Sequence, residues 1–194
     1  MTPHITSLPP ARTDGGQPLM QALKNRRSSR EFSSRPLPLQ LMSDLLWAAF
    51  GINRPETGGR TAPSARHWED IDIYVAGAQG VDVYDAHHHV LRRVVVRDVR
   101  ACTGMQPFVT EAPLDLVYVS DHSRMAGATP DEQAQYSYFD AGFIAQNVYL
   151  FCASCGLATV VRAMIDRPAL ASVMNLTNPQ HILLAQTVGF PRET

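Results

Sequence analysis

Apolar and polar positions along this chain follow two periods, and the switches between them mark the elements. Leu39, Met42, Leu45, Leu46 and Ala49 recur at helical spacing behind Pro38, and Gly51 is a suitable stop, so a helix is expected there. A shorter helix opens near Pro18, with Leu19, Met20 and Leu23 on one side, and runs to Arg26 or Arg27; residues 28–36 then read as extended chain. IDIYVAG, VDVYDA and the end of HHHVLRRVVV read as three strands of a small antiparallel meander. PLDLVYVS and HILLAQTVGF are short apolar runs with β-branched residues, expected as buried strands. LATVVRAMI is strand or loop, and Asp166 with Pro168 opens a short helix that ends near Asn175. Residues 98–106 suggest a further short helix, and residues 52–68, rich in Gly, Pro, Ser and Thr, a long loop.

The strongest helix is 131–155. Tyr138, Phe139, Phe143, Val148, Tyr149, Leu150 and Cys152 make it apolar around most of its circumference, and Gly156 ends it. Such a helix is expected at the centre of a domain or at a subunit interface. Residues 1–17 hold three prolines and two glycines and read as an extended or disordered arm; 18–194 reads as one domain. Mixed helices and mostly antiparallel strands make the fold class α+β.

Composition narrows the function. Lys+Arg number 17 and Asp+Glu 18, so there is no global basic field for nucleic acid. No stretch approaches the ~20 apolar residues of a membrane span. The N-terminus has no basic segment followed by an apolar run, so no secretory signal is read. Cys102, Cys152 and Cys155 are odd in number and form no disulfide framework, which points to a reducing, cytoplasmic setting. Cys152 and Cys155 form a C-x-x-C inside the helical pattern and read as small apolar residues. His87, His88 and His89 are consecutive and cannot converge on one ion from a strand; they read as a polar hairpin turn, and no metal is expected. Asp140 reads as a structural carboxylate, Trp68 as a core aromatic or a ring-stacking one, and Arg92, Arg93 and Arg97 as a solvated face.

The segment NRRSSREF, residues 25–32, sets three arginines and two serines against one glutamate. In extended chain, Arg26, Ser28 and Arg30 share a face. Guanidinium forks flanking a hydroxyl suit phosphate oxygens. A solvated turn after a helix is an equally open reading, since cations are favoured at helix C-termini. Neither a Walker loop nor G-x-G-x-x-G is present, so a phosphate here would be held by side chains.

R-x-S-x-R-x-F (Arg26, Ser28, Arg30, Phe32) resembles the phosphate motif of the FMN-dependent nitroreductase family. RTAPSA (60–65) is similar to its R-x-x-P-S-A/S loop. DAGFIAQNVYLFCASCGLAT (140–159) resembles its central helix, and HILLAQTVGFP its closing strand. The similarity runs over residues 18–191, nearest to the SagB/ThcOx-like branch. It implies an antiparallel sheet flanked by helices, in an intertwined homodimer with two FMN sites at the interface. It implies that Arg26, Ser28 and Arg30 bind the FMN phosphate, with Arg27 backbone close by. Pro63, Ser64 and Ala65 would line the isoalloxazine. Val161, Arg162, Ala163 and Met164 would pass its reactive edge and offer backbone N–H groups.

The implied activity is hydride transfer through FMN from NAD(P)H to a small acceptor such as a nitroaromatic or a quinone. A SagB-like dehydrogenase of a heterocyclic or peptide substrate and a non-catalytic flavin binder are the alternatives. No acid–base residue is needed and none is assigned as catalytic. Three features depart from the pattern: Arg66 stands where that branch usually has Gly, V-V-R-A-M-I lacks the usual small or acidic pair, and Arg192 alone is left to act as a basic tail.

Overall fold

The computed structural model describes residues 4–192. Its strands carry apolar side chains on both faces, which is why they bury so completely. In β4 (Ile71–Gly77), Ile71, Ile73 and Val75 face one way and Tyr74 and Ala76 the other. In β7 (Leu114–Asp121), Leu114, Leu116 and Tyr118 share the first face, and Val117 and Val119 the second. A sheet apolar on both sides must be covered on both sides.

The other strands are β1 (Ile5–Ser7), β5 (Gly80–Asp85), β6 (Val90–Val95), β8 (Ala158–Arg162) and β9 (Gln180–Gly189). With β4 and β7 they form a seven-stranded sheet in the order β1-β6-β5-β4-β7-β9-β8, and every pairing in it is antiparallel. Helices α2 (Leu39–Phe50) and α3 (Pro130–Cys155) cover the first face through Leu45, Leu46, Ala141, Ile144 and Val148. The short α4 (Arg167–Met174) covers the second through Leu170 and Met174. Helix α1 (Leu19–Asn25) lies against α3. The α+β class and the β4-β5-β6 meander expected from the pattern are observed.

Several local features differ from the sequence reading. The 52–68 segment holds a two-stranded ribbon, β2 (Ile52–Arg54) with β3 (Gly59–Arg60), and a 3-10 turn at Ala65–His67. Residues 98–106 form no regular helix: Gly104 and Pro107 break the segment, leaving 3-10 turns at Arg100–Cys102 and Pro107–Val109. The N-terminal arm is extended and docked. Its strand edges the sheet beside β6, Leu8 is buried, and Arg12 grips Asp44 of α2 at 2.6 Å. Residues 87–89 sit in the β5–β6 turn, where His89 touches Ser43 Oγ (2.7 Å) and Tyr84 OH (3.0 Å). Arg92 and Arg93 are not a bare face; they pair with Asp85 and Asp82.

Helix α3 is not buried all round within one chain. Ile144, Val148 and Cys152 are fully buried, but Tyr138, Phe139 and Phe143 are 45%, 50% and 48% exposed, with Gly142 and Gln146 beside them. Leu19, Met20 and Leu23 of α1 are exposed as well. Helix α3 begins with a capping box: Thr129 accepts from Glu132 N, and Glu132 returns to Thr129 N at 2.8 Å. Thr129→Ala is expected to cost about 1 kcal/mol. Urea unfolding should show a lower midpoint with an unchanged slope; an unchanged midpoint would mean that packing alone fixes this end.

Candidate functional site

The chain leaves α1 at Arg26, where the backbone turns extended (φ −56°, ψ 122°). It then runs beside β8, with Ser29 N donating to Thr159 O at 2.9 Å, and is anchored by Phe32, which is buried and bridges to Pro191. Tyr149 of α3 stands beneath it. The Tyr149 hydroxyl lies 2.9 Å from Ser28 Oγ and accepts from Val161 N at 3.0 Å, while the Arg26 guanidinium lies 5.4 Å from the centre of its ring. Beside this segment is a cleft of about 520 Å³ whose lining includes Lys24, Arg26, Arg27, Ser29, Ala153 and Gly156.

Most arginines of this protein have a carboxylate. Arg12, Arg60, Arg92, Arg93, Arg100, Arg124 and Arg162 each hold one within 3.0 Å. Among the described residues, Lys24, Arg26, Arg27 and Arg30 have none within ion-pair distance; Arg35, Arg54, Arg97 and Arg167 have none either, but only the first four follow one another along a single stretch of seven residues. The carbonyl end of α3, close by at Gly156, supplies only about half a negative charge against these positive ones. A group of like charges outnumbering its one neighbouring carboxylate, Glu31, with no ion pair among the described residues, is stabilised by an external anion. The donor set therefore fits the phosphate of the FMN that the sequence resemblance implies.

The expected binding residues are not all gathered at that cleft. Arg26, Arg27 and Ser29 line it; Ser28 is turned to Tyr149, and Arg30 is exposed further along the segment. The Pro63–Ala65 loop lies elsewhere on α3. Ala65 N donates to both Asp140 oxygens, at 2.9 and 3.2 Å, and Ser64 Oγ accepts from Glu69 N at 2.8 Å. Asp140 and Tyr149 are nine residues apart on the helix, about 14 Å along its axis. Arg66 has φ +47°, the left-handed region that a glycine would occupy freely; it spans to Glu132 at 3.2 Å and stacks on Trp68. Trp68 in turn meets Tyr136 edge-on, and Tyr136 meets Phe139.

At the end of β8, Ala163 and Met164 are exposed. Arg162 is neither a surface residue nor turned towards a cleft. Its side chain is 2% exposed and pairs with the fully buried Asp115 at 2.7 Å, with further bonds to Thr187 Oγ1 and Thr103 O. Burial pushes the Asp115 carboxyl up to about 6 and pulls the Arg162 guanidinium down, while each partner's charge acts against that. Arg192 is held by Glu111 and lines a different cleft, with Phe32 and Arg100. Sequence reasoning missed Tyr149 and Lys24. Tyr149 had a signal: it sits between Val148 and Cys152 on the apolar stripe of α3, where a hydroxyl needs a partner. Lys24 had one in its position just before the arginines.

The Nitroreductase family model matches residues 23–190. The chain belongs to the nitroreductase family. A Methanocaldococcus jannaschii protein assigned as a nitroreductase is 34% identical over 152 residues, covering 73% of this chain and 76% of its own. A crystal structure from Ralstonia eutropha, of a protein assigned as a nitroreductase, superposes with TM-score 0.94 at 45% identity, covering 98% of this chain and 90% of the other. The NADPH:FMN oxidoreductase of Vibrio harveyi, solved with NAD+, shares the fold at TM-score 0.66 and 20% identity, over 90% of this chain and 69% of its own. Membership makes this nitroreductase-family chain an oxidoreductase by class. Among the described residues no helix is long and apolar enough to cross a membrane, and no group of His, Cys, Asp and Glu is placed to hold a metal ion.

Proposed function

We propose that this protein is an FMN-dependent oxidoreductase that takes hydride from NAD(P)H and delivers it to a small acceptor, a nitroaromatic or a quinone, as a homodimer. The observation that carries the reading is the group of cations on Lys24, Arg26, Arg27 and Arg30, without an ion-pair partner among the described residues, beside a cleft, in a chain of this family. When bound, FMN supplies the redox chemistry, accepting and passing on a hydride at N5.

The residues bind and orient. Arg26 and Arg30 hold the phosphate, with Arg27 and Lys24 adding charge. Tyr149 fixes Ser28 on one side and Val161 N on the other, so the phosphate segment and the start of the 161–164 loop share one support. Backbone N–H groups of Ala163 and Met164 offer donors to the ring edge, and the buried Arg162–Asp115 pair keeps that loop in place.

Two copies make sense of the distance between the patches. The exposed face of α3 centres on Gly142, Phe143 and Gln146, midway between Asp140 and Tyr149. Two α3 helices crossing antiparallel there would set the Pro63–Ala65 loop of one copy level with the cation segment of the other. The same contact would cover Phe139 and Phe143, a face too apolar to leave in water.

A visible spectrum tests the reading. The purified protein should be yellow or turn yellow with FMN, bleach with NADPH or NADH, and recolour on adding a quinone. A yellow protein that neither nicotinamide bleaches would leave the flavin and remove the reductase; a colourless protein that ignores FMN would remove both.

A further inference from the structure

Beneath the Pro63–Ala65 loop lies a buried polar cluster with too few hydrogens. Asp70, Ser120 and Ser137 are fully buried, and Asp140 is 1% exposed. Asp70 Oδ2 lies 2.6 Å from Ser120 Oγ, Ser120 Oγ lies 2.8 Å from Ser137 Oγ, and Ser137 Oγ lies 2.6 Å from the Gln133 carbonyl. Each oxygen–oxygen contact this short needs a hydrogen. The run has three contacts and two hydroxyl protons, and the carbonyl at its end cannot donate. The third proton must come from a carboxyl group. Asp70 Oδ1 is buried without any partner, and the charge of Asp70 bears on the nearby Asp140 carboxyl.

We propose that Asp70 and Asp140 retain a carboxyl proton in the folded protein and act as a positioning pair that clamps the Pro63–Ala65 loop to α3. With the proton in place, Asp70 donates to Ser120, Ser120 to Ser137, and Ser137 to Gln133 O. Asp140 is left to accept from Ala65 N and the Ser64 hydroxyl. The loop needs such a clamp, because Arg66, His67 and Glu69 all have φ between +47° and +57°, where non-glycine residues are strained. Loss of the proton would set two carboxylates against each other in a dry site.

The surrounding charges are few. From the loop, Arg66 reaches Glu132 and Glu69 pairs with Arg60. After β7, Arg124 donates to the Asp70 backbone carbonyl and pairs with Asp72, so it does not answer the carboxyl. His122 lies 3.4 Å from Ser137 Oγ and stacks on His181 of β9; burial and that second ring hold it below the usual histidine range. Asp121 adds a further carboxylate, bonded to Ser123. Burial first, with the facing Asp70 adding to it, pushes the Asp140 carboxyl up to about 6 against the bonds from Ser64 and Ala65. Because the Asp140 carboxyl is held above the unfolded range, the stabilisation its proton gives is present in acid and is lost as pH rises through about 6.

This inference rests on the proposed flavin site only for the loop's purpose, and its test does not need flavin. Asp70→Asn supplies amide hydrogens at every pH. The infrared spectrum of the flavin-free wild-type protein at pH 5.5 should therefore carry one protonated carboxyl more than that of Asp70→Asn, over the absorption that Asp115 gives in both. The melting temperature of wild type should fall relative to Asp70→Asn between pH 5 and pH 8. Asp140→Ala, which removes the acceptor for Ala65 N, should in addition bind FMN at least tenfold more weakly than wild type. Equal protonated-carboxyl absorption in wild type and Asp70→Asn, or a melting difference that does not move with pH, would overturn the pair. A protein that shows the extra carboxyl and the pH-dependent difference but binds no FMN would keep the pair and reject the flavin site.

Discussion

Replacing Arg26 and Arg30 together by alanine is expected to weaken FMN binding at least ~100-fold. A hydrogen bond to a charged group is worth about 1.5–3 kcal/mol, and partial exposure puts these two at the lower end. Two such losses come to about 3 kcal/mol, or about two decades in Kd. Neither side chain has an ion-pair partner among the described residues, so their removal strips no carboxylate of its counter-ion and leaves the fold intact. Riboflavin, which lacks the phosphate, should bind wild type and the double variant alike. Fluorescence titration of both ligands makes the comparison, and an unchanged FMN Kd would place the phosphate somewhere else.

Arg162→Met is expected to be the most destabilising single substitution of the set. It leaves Asp115 charged and alone at 0% exposure, on β7 beside Thr187 of β9. Breaking a buried ion pair by removing one partner costs about 3–5 kcal/mol. For a chain of this size that is a fall in Tm of roughly 6–20 °C. The deficit has a pH signature. The Asp115 carboxyl is already at about 6 with its partner present, and it rises further without it. The variant's penalty is therefore full at pH 8 and shrinks as pH falls and the lone carboxyl takes a proton. Thermal melts at pH 5 and pH 8 measure this; equal deficits at both would mean that poor packing of the substituted side chain, not the orphaned carboxylate, sets the cost.

How far these features could be read from sequence depends on the reach of the forces that make them. Helices α2 and α3 have local causes, in Pro38, Gly51, Gly156 and the periodic apolar residues between, and they stand where the pattern puts them. The meander is equally local, since its turns are short. The family motifs carried the fold because they occur in order along most of the chain. Arg162 was not legible: its partners Asp115 and Thr103 are 47 and 59 residues away. Nor was the two-sided character of α3. Tyr138, Phe139 and Phe143 look like core residues in composition, and only the packing of Ile144 and Val148 against the sheet leaves them outside. The Asp70–Asp140 pair escaped for the same reason, since 70 residues separate its members and neither belongs to a pattern that announces the other.

The central claim is that each flavin site is built from the cation segment of one copy and the Pro63–Ala65 loop of another. The direct measurement is flavin content in a mixed dimer. One chain carries Arg26→Ala with Arg30→Ala, the other carries Pro63→Trp to fill the ring's place, and the two bear different affinity tags. Each variant alone should lose its FMN through purification. The doubly purified mixed dimer should bind one FMN per two chains, because one of its two sites keeps both intact halves. A mixed dimer without FMN, or chains that never pair, would contradict the account.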